Sequence, residues 1–161
     1  WRESVDATTR LGARAVLIAG EGHERVRSMI TTSSRFAAHA NDIIVVNRAP
    51  HSLLFPRASA VIHQCGVGTL AQSLRSGTPL LAVPYAHDQP DNAWRACHLG
   101  VARLVQARHY RAPRVAAQLR TLTSDPAYAA AAKRVADVVR SERGLDAACD
   151  AREHAFALVG Q

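Results

Sequence analysis

The chain has few cysteines, few aromatic residues and no long apolar run, and each shortage excludes a class of protein. Three cysteines in 161 residues, at wide and irregular spacing, fit neither a disulfide framework nor a zinc cluster. No segment approaches the roughly 18 consecutive apolar residues that a membrane span needs. The chain opens at Trp1 without a basic and apolar leader, so we expect a soluble, cytoplasmic protein without a signal peptide, and a piece of something longer.

The positive charge of the chain forms no cluster. Twenty Lys and Arg residues, nineteen of them Arg, give a formal net charge of +7 but are scattered in ones and twos. Basic runs with interleaved aromatic residues, which are typical of nucleic-acid binding, are missing, so we expect no nucleic-acid partner. The excess charge suits exposed helix faces and attraction of an anionic small molecule.

Short β-branched runs alternate with longer helical patterns, which is typical of βα units around a parallel sheet. The length suits a single domain over residues 1–161. The predicted strands are Ala15 to Ile18, Ile43 to Val46, Ala60 to His63, Pro79 to Val83 and Val101 to Val105. We therefore predict an α/β fold with a Rossmann-like parallel sheet flanked by helices.

Helical patterns fill most of the remaining chain. They cover residues 4–11, 52–55, 67–76 and 91–99, and nearly everything after Arg111. Between Gly20 and Asn41 the pattern is weak, and only a short helix within Arg35 to Ala40 is predicted.

A turn with two glycines joins the third predicted strand to a helix. It reads Gln64-Cys65-Gly66-Val67-Gly68-Thr69, and the helical stripe begins at once. Gly66 and Gly68 permit positive φ and close approach of a ligand to the backbone. The first N–H groups of a helix are unpaired and carry roughly half a positive charge, which suits phosphate. A ligand-free tight connection is the alternative for a lone Gly-x-Gly pattern.

The next predicted strand ends in a polar pair, Asp88 and Gln89. Ligands of open α/β sheets bind outside the carboxyl ends of the strands, so this pair is expected close to the two-glycine turn. A carboxylate beside an amide suits the hydroxyl groups of a sugar. For Asp88 the alternative is a helix N-cap, a role that explains Gln89 less well.

Together these segments resemble the donor-binding signature of nucleotide-sugar-dependent glycosyltransferases with the GT-B fold, most nearly the bacterial members that glycosylate natural products, macrolides or lipids. The similarity covers about residues 14–158 and is most specific over 48–105. The motifs that carry it are the segment Arg48 to Arg57, the turn His63 to Thr69, Gly77-Thr78-Pro79, Pro84, Asp88-Gln89, Asn92-Ala93 and the step Leu99 to Ala102.

The resemblance implies a role for each matched position. Asp88 and Gln89 match the pair that holds the donor sugar, and Gln64 stands where many members have a phosphate-contacting histidine. That departure puts more of the diphosphate binding on Thr69 and the helix N-terminus. The implied diphosphate-binding set is His63, Gln64, Cys65, Gly66, Gly68 and Thr69, and the implied base- and ribose-binding set is Pro50, His51 and Gln72. For His63 the alternative is a buried histidine at the end of its strand.

The reaction that the resemblance implies is inverting transfer of a hexose from a UDP- or TDP-linked donor to a hydroxyl of a small-molecule or lipid acceptor. No cofactor or metal ion is expected beyond the nucleotide sugar. The general base and the acceptor site belong to an N-terminal domain that this chain lacks, together with the first strand of the lobe. We therefore assign no catalytic residue here and expect the fragment alone to be inactive. A second copy of the chain is one way to cover Phe156 in the last helix.

Two other functions remain open from the sequence. Gly66-x-Gly68-x-x-Ala71 fits the fingerprint of an NAD-dependent Rossmann domain, with Asp88 twenty residues after Gly68. Two strands precede this motif, however, whereas the fingerprint normally follows the first strand. The other alternative is a non-catalytic lobe that binds a nucleotide sugar or a partner glycosyltransferase.

Overall fold

Five short strands alternate with helices along the chain, as the sequence pattern predicts. The computed structural model describes residues 1–159, so the last two positions of the expected domain lie outside the described residues. The strands are β1 (Ala15–Ile18), β2 (Ile43–Val46), β3 (Val61–His63), β4 (Leu80–Ala82) and β5 (Ala102–Leu104). The helices are α1 (Arg2–Arg10), α2 (His23–Thr31), α3 (His51–Leu54), α4 (Val67–Ser76), α5 (Gln89–His98), α6 (Ala112–Ser124), α7 (Pro126–Ser141) and α8 (Gly144–Val159).

The strands form two parallel sheets, which confirms the α/β class. One sheet pairs β1 with β2, and the other has the order β3-β4-β5, with Val61 opposite Leu80 and Leu80 opposite Ala102. A doubly wound sheet has the strand order 3-2-1-4-5-6. The observed neighbours β2-β1 and β3-β4-β5 agree with the 3-2 and 4-5-6 parts of that order.

The core of the larger sheet is built around β4. Its three residues are fully buried because helices cover both faces, and their apolar side chains divide between two clusters, one on each side. Leu80 packs with α4, α5 and α7, whereas Leu81 packs with α6 and α1. Burial on both faces explains why this strand reads as a continuous apolar run.

Helix α1 connects the two sheets. Its Val5 packs among the residues of the β1–β2 cluster, including Leu17, while its Ala7 packs beside Leu81 of β4. Both side chains are buried, although they lie on one short helix. This helix is therefore the shared wall that holds the smaller sheet against the larger one.

The weakly patterned segment differs from its prediction. The structure has the helix α2 at His23–Thr31, where we predicted none, and a 3₁₀ helix at Ala37–Asp42 in place of the helix expected within Arg35 to Ala40. Only Val26 and Ile30 of α2 are buried, so its apolar stripe is too narrow to stand out in the sequence.

Two findings concern membranes and metals. Within residues 1–159, none of the helices has both the length and the apolarity to cross a bilayer. In the same range, no three His, Cys, Asp or Glu side chains are grouped in a way that could hold a metal ion.

Candidate functional site

The candidate site lies where β3 and β4 end. Because the two strands are parallel neighbours, their carboxyl ends meet at one edge, and the turns to α4 and α5 lie side by side there. Each turn contains a non-glycine residue with positive φ, Cys65 at 67° and His87 at 57°. Such conformations are uncommon outside glycine and cluster at functional sites.

The N-terminus of α4 presents unpaired amides at this edge. Its N-cap is Gly66, which has no side chain with which to cap the helix. Within residues 1–159, no backbone or side-chain acceptor takes the N–H groups of Val67, Gly68 or Thr69, whereas the Leu70 N–H donates to the Gly66 carbonyl at 3.0 Å. These three amides are therefore free to bind an anion.

The glycines of this turn act differently from the prediction. Gly66 is extended, with φ of −60°, and the left-handed residue of the turn is Cys65. Neither glycine uses the positive φ that it permits, but the backbone is open to a ligand, as expected. A methyl group at Gly68 would meet no atom within 4 Å, and one at Gly66 would meet only the Gln64 side-chain nitrogen at 3.6 Å.

His63 faces the protein interior. Its Nδ1 accepts a hydrogen bond from the Cys65 N–H at 3.0 Å, and its Nε2 lies 2.9 Å from the Ser73 hydroxyl. Because Nδ1 accepts, the neutral ring carries its proton on Nε2 and donates it to Ser73. Burial, with a smaller contribution from His51, lowers the pKa of His63 to about 4. Both ring nitrogens have protein partners, so the geometry fits a structural support of the turn better than a phosphate ligand.

The Cys65 thiol lies inside the core. Burial, and secondarily Cys97, raises its pKa to about 12, so the sulfur stays protonated and behaves as a small packing group. Its backbone, rather than its sulfur, faces the site residues. The Cys65 carbonyl accepts a hydrogen bond from the Asn92 side-chain amide at 3.0 Å.

The Asp88 and Gln89 side chains each bind part of their own turn. Asp88 occupies the N-cap position of α5, but its carboxylate makes no capping bond and instead accepts from the Asn92 amide at 2.6 Å. The carbonyl oxygen of the Gln89 side chain accepts from the N–H groups of Tyr85 and Ala86 at 2.9 and 3.3 Å. This leaves one carboxylate oxygen of Asp88 and the NH₂ group of Gln89 for a ligand.

The corner that carries Pro50 and His51 stands on a buried aromatic ring. The His51 ring stacks on Phe55, with ring centroids 4.4 Å apart and planes 13° apart. The Phe55 carbonyl in turn accepts a hydrogen bond from the buried Thr78 hydroxyl at 2.8 Å. Thr78 begins the approach to β4, so this bond fixes the corner relative to the sheet that carries the rest of the site.

The remaining predicted residues lie on the outer surface of the same turn and helix. Gln64 is exposed, on the opposite face from its buried neighbour His63, as strand geometry requires. Thr69 is half-buried in the first turn of α4, and Gln72 follows it by three positions, which places both on one side of that helix.

Two residues of the site had no role predicted from the sequence: Ser73, which was not singled out, and Asn92, which was named only as part of the resemblance. Ser73 is a fully buried polar residue beside the apolar stripe of α4, and its position between Leu70 and Leu74 was the available signal. Asn92 follows Asp88 by four residues, the spacing that brings two side chains together on a helix. Its contact with Cys65, 27 positions earlier, has no local signal in the sequence.

A separate cleft lies away from this edge of the sheet. It measures about 680 Å³ and is walled by α1, α2 and the segment after α2, with Arg2, Arg25 and Arg35 among its lining residues.

Comparison with known proteins identifies the family. The model for the C-terminal domain of erythromycin biosynthesis protein CIII-like proteins matches residues 22–144. The chain is 36% identical over 124 residues to O-mycaminosyltylonolide 6-deoxyallosyltransferase of Streptomyces fradiae, covering 76% of this chain and 29% of that protein. It thus spans less than a third of that relative's length.

Comparison with solved structures leads to the same group of proteins. The glycosyltransferase of kitacinnamycin superposes with a TM-score of 0.79 at 25% identity, over 95% of this chain and 38% of that one. Spinosyn rhamnosyltransferase SpnG complexed with thymidine diphosphate gives a TM-score of 0.73 at 24% identity, over 87% and 36% of the two chains. The fold is that of one lobe of GT-B glycosyltransferases, and the chain belongs to the family of erythromycin biosynthesis protein CIII-like C-terminal domains.

Proposed function

We propose that this chain is the donor-binding lobe of a glycosyltransferase that transfers a sugar from a nucleoside-diphosphate sugar to a small-molecule hydroxyl. The observation that carries the proposal is the pairing of two neighbouring turns. One presents the unpaired amides of Val67, Gly68 and Thr69, and the other presents the Asp88 carboxylate. The first group suits a diphosphate and the second suits sugar hydroxyls.

The relatives favour a thymidine-diphosphate donor and a macrolide-like acceptor. A 6-deoxyallosyltransferase is among the relatives, and one structural neighbour was solved with thymidine diphosphate. Pro50 and His51, the residues of the proposed base corner, fit either thymine or uracil, so TDP rests on these relatives and UDP is its competitor. A hexose is the sugar class that the named relative transfers.

In the proposed reaction the acceptor oxygen attacks the anomeric carbon and forms the new glycosidic bond, with inversion. The bond from that carbon to the diphosphate oxygen breaks, and its electron pair stays on the diphosphate. The acceptor proton passes to a general base on the other lobe. Here the amides of α4, the Thr69 hydroxyl and the Gln64 amide receive the developing negative charge, and each preorganised donor in such a site contributes a few kcal/mol.

The same proposal includes an incomplete lobe. If the strand order is that of a doubly wound sheet, one place lies between β1 and β3, and a strand that leads into α1 by a right-handed crossover would fill it. The chain also covers only 29% and 38% of two of its relatives. We infer that a preceding segment supplies this strand and the acceptor lobe, and that residues 1–161 alone bind the donor without transferring the sugar.

Isothermal titration with TDP, UDP, GDP and NAD tests the proposal. The expected result is binding of TDP or UDP that weakens in Thr69→Ala, while Asp88→Ala weakens a TDP-sugar and spares TDP. An exposed pair on the same helix gives the control, since Asp91→Asn removes the Arg95 ion pair without touching the site.

Two outcomes would overturn the proposal. Binding of NAD without any nucleoside diphosphate would favour the dinucleotide alternative. Failure of a folded chain, with its natural N-terminal segment retained, to bind any of the four ligands would exclude the donor site. Donor binding by that longer chain without transfer to any acceptor would instead support a non-catalytic lobe.

A further inference from the structure

One side chain bridges the two halves of the candidate site. Asn92 lies on α5, and both hydrogens of its amide are used. One is donated to the Cys65 carbonyl at 3.0 Å, the other to the Asp88 carboxylate at 2.6 Å. The first contact crosses from the turn after β4 to the turn after β3, between residues 27 positions apart. Asn92 is thus attached at once to the turn that opens α4 and to the carboxylate proposed to hold the sugar.

The backbone N–H of Cys65 is also held by a hydrogen bond. Its N–H donates to Nδ1 of His63, whose Nε2 is anchored by Ser73 inside α4. His63 and Ser73 are buried, so water cannot replace these partners. The backbone N–H of Cys65 is therefore held by a side chain of β3, and its carbonyl by a side chain of α5.

The backbone at this residue needs such support. Cys65 has φ of 67°, a left-handed conformation that brings its Cβ too close to the following carbonyl oxygen and is therefore strained. Without these hydrogen-bond partners, the turn would lower its free energy by relaxing to another conformation. Any relaxation there redirects the next peptides, Gly66 to Thr69, which carry the unpaired amides.

From this geometry we propose that Asn92 is a positioning residue: it holds the Cys65 peptide in its left-handed conformation and fixes the separation between the phosphate-binding amides of α4 and the carboxylate of Asp88. His63 and Ser73 support the opposite side of the same peptide. The inference rests on the proposed function for its ligand, but the coupling it describes belongs to the protein alone.

The proposal separates Asn92 from Asp88 in their effects on ligands. If Asp88 serves the sugar alone, Asp88→Ala weakens a TDP-sugar and leaves TDP within about twofold, because Asn92 still donates to Cys65. If Asn92 sets the turn, Asn92→Ala weakens TDP itself, by about tenfold, although Asn92 contacts neither phosphate nor base. If Asn92 only stabilised helix α5, its replacement by alanine would not change the affinity for TDP.

The experiment combines titration with amide hydrogen exchange, on the protein with its natural flanking chain. TDP and TDP-glucose are titrated into the wild type, Asn92→Ala, Asp88→Ala and the control Asp91→Asn. Exchange of the Cys65 N–H is followed by NMR without ligand. We expect Asn92→Ala to lose affinity for both ligands, to exchange the Cys65 N–H at least tenfold faster, and to unfold at the temperature of Asp91→Asn within a few degrees.

Each alternative result is decisive. Unchanged exchange at Cys65 in Asn92→Ala would overturn the proposal, whether or not any ligand binds. Faster exchange with unchanged affinity for TDP would overturn it as well, since the turn would then move without consequence for the phosphates. If Asn92→Ala exchanges faster but the wild type binds no nucleoside diphosphate, the positioning role of Asn92 stands and the proposed donor site is refuted. Failure of the positioning role and failure of the donor site are therefore distinguishable.

Discussion

The two sheets differ in how completely they are covered. The larger sheet has a central strand, β4, that is buried on both faces, although Ile62 and Leu104 of its outer strands are 38% and 37% exposed. The smaller sheet pairs only β1 with β2, and there Val16 is 39% and Ile44 59% exposed. All residues of the candidate site except Pro50 and His51 stand on the larger sheet or on the helices packed against it. The site is thus built on the part of the molecule that local opening disturbs least.

Because of this difference, the smaller sheet is the one that can take up a further strand. Its cluster is joined to the rest mainly through Val5 of α1, and the further strand that we propose would pair with the other edge of β1. A central strand would turn the two sheets into one and would cover part of the exposed apolar surface. The larger sheet needs no such completion for its own core, because helices already cover both faces of β4.

The largest expected effect comes from truncating the core of the larger sheet. Leu81→Ala leaves a cavity beside β4 and should cost about 2–5 kcal/mol, whereas Ile44→Ala on the smaller sheet should cost under about 1 kcal/mol. Urea unfolding followed by circular dichroism measures both. Equal losses of unfolding free energy in the two variants would mean that the two sites are buried alike, which would contradict the difference between the sheets.

The second effect depends on pH and on His63. Its pKa is about 4 in the folded protein and 6.5 in a free histidine, so the unfolded state binds the proton first as the pH falls. Stability is therefore full above about pH 6.5 and decreases toward pH 4, by an amount on the order of 3 kcal/mol.

A matched variant isolates that effect. His63→Asn retains an acceptor for the Cys65 N–H, as in an Asx-turn, but has no group that titrates in this range. Urea unfolding at several pH values should show a flatter profile for the variant than for the wild type. A wild-type profile that is already flat between pH 6.5 and 4 would contradict the buried neutral ring.

A third effect compares two glycines, one beside each sheet. Gly77 ends α4 with φ of 77°, and a Cβ there would lie 3.3 Å from the Ala136 side chain, whereas Gly12 has φ of 60° and open space around it. Alanine should cost about 1 kcal/mol at Gly12 and about 1–2 kcal/mol at Gly77, where crowding adds to the backbone strain. Thermal unfolding of the two variants tests this order, and equal costs would mean that α7 moves aside freely.

The smallest expected effect concerns the position where this chain departs from its resemblance. Gln64→His places a potential cation beside the amides of α4 and should strengthen TDP binding severalfold below about pH 6. Titration at pH 5.5 and pH 8 measures it, and the gain should vanish at the higher value. Equal or weaker affinity at both values would count against the placement of Gln64 at the diphosphate.

The sequence predicted most where helix and strand patterns are carried by their own residues. The bounds of α4 were predicted to the residue, because its apolar stripe starts right after the two-glycine turn and Gly77 stops it. Helix α2 was missed because packing against the Leu17 cluster, rather than a strong stripe or an N-cap side chain, stabilises it.

For the site, the sequence indicated the segments but not the bonds inside them. The turn at 64–69 and the pair Asp88 and Gln89 follow from motif and strand order. The left-handed conformation of Cys65 and its contact with Asn92 depend on how two βα units pack, and no local pattern encodes a contact across 27 residues. The orientation of His63 into the core needed the observed partner Ser73.

The most direct test of the donor site is a residue-resolved NMR titration with TDP. The account predicts that the largest amide shifts occur at Val67, Gly68 and Thr69, with smaller ones at Gln64 and His51. The arginine-lined cleft at Arg2, Arg25 and Arg35 is the competing anion site, and it should be silent. Shifts confined to that cleft, or none at the N-terminus of α4, would contradict the account.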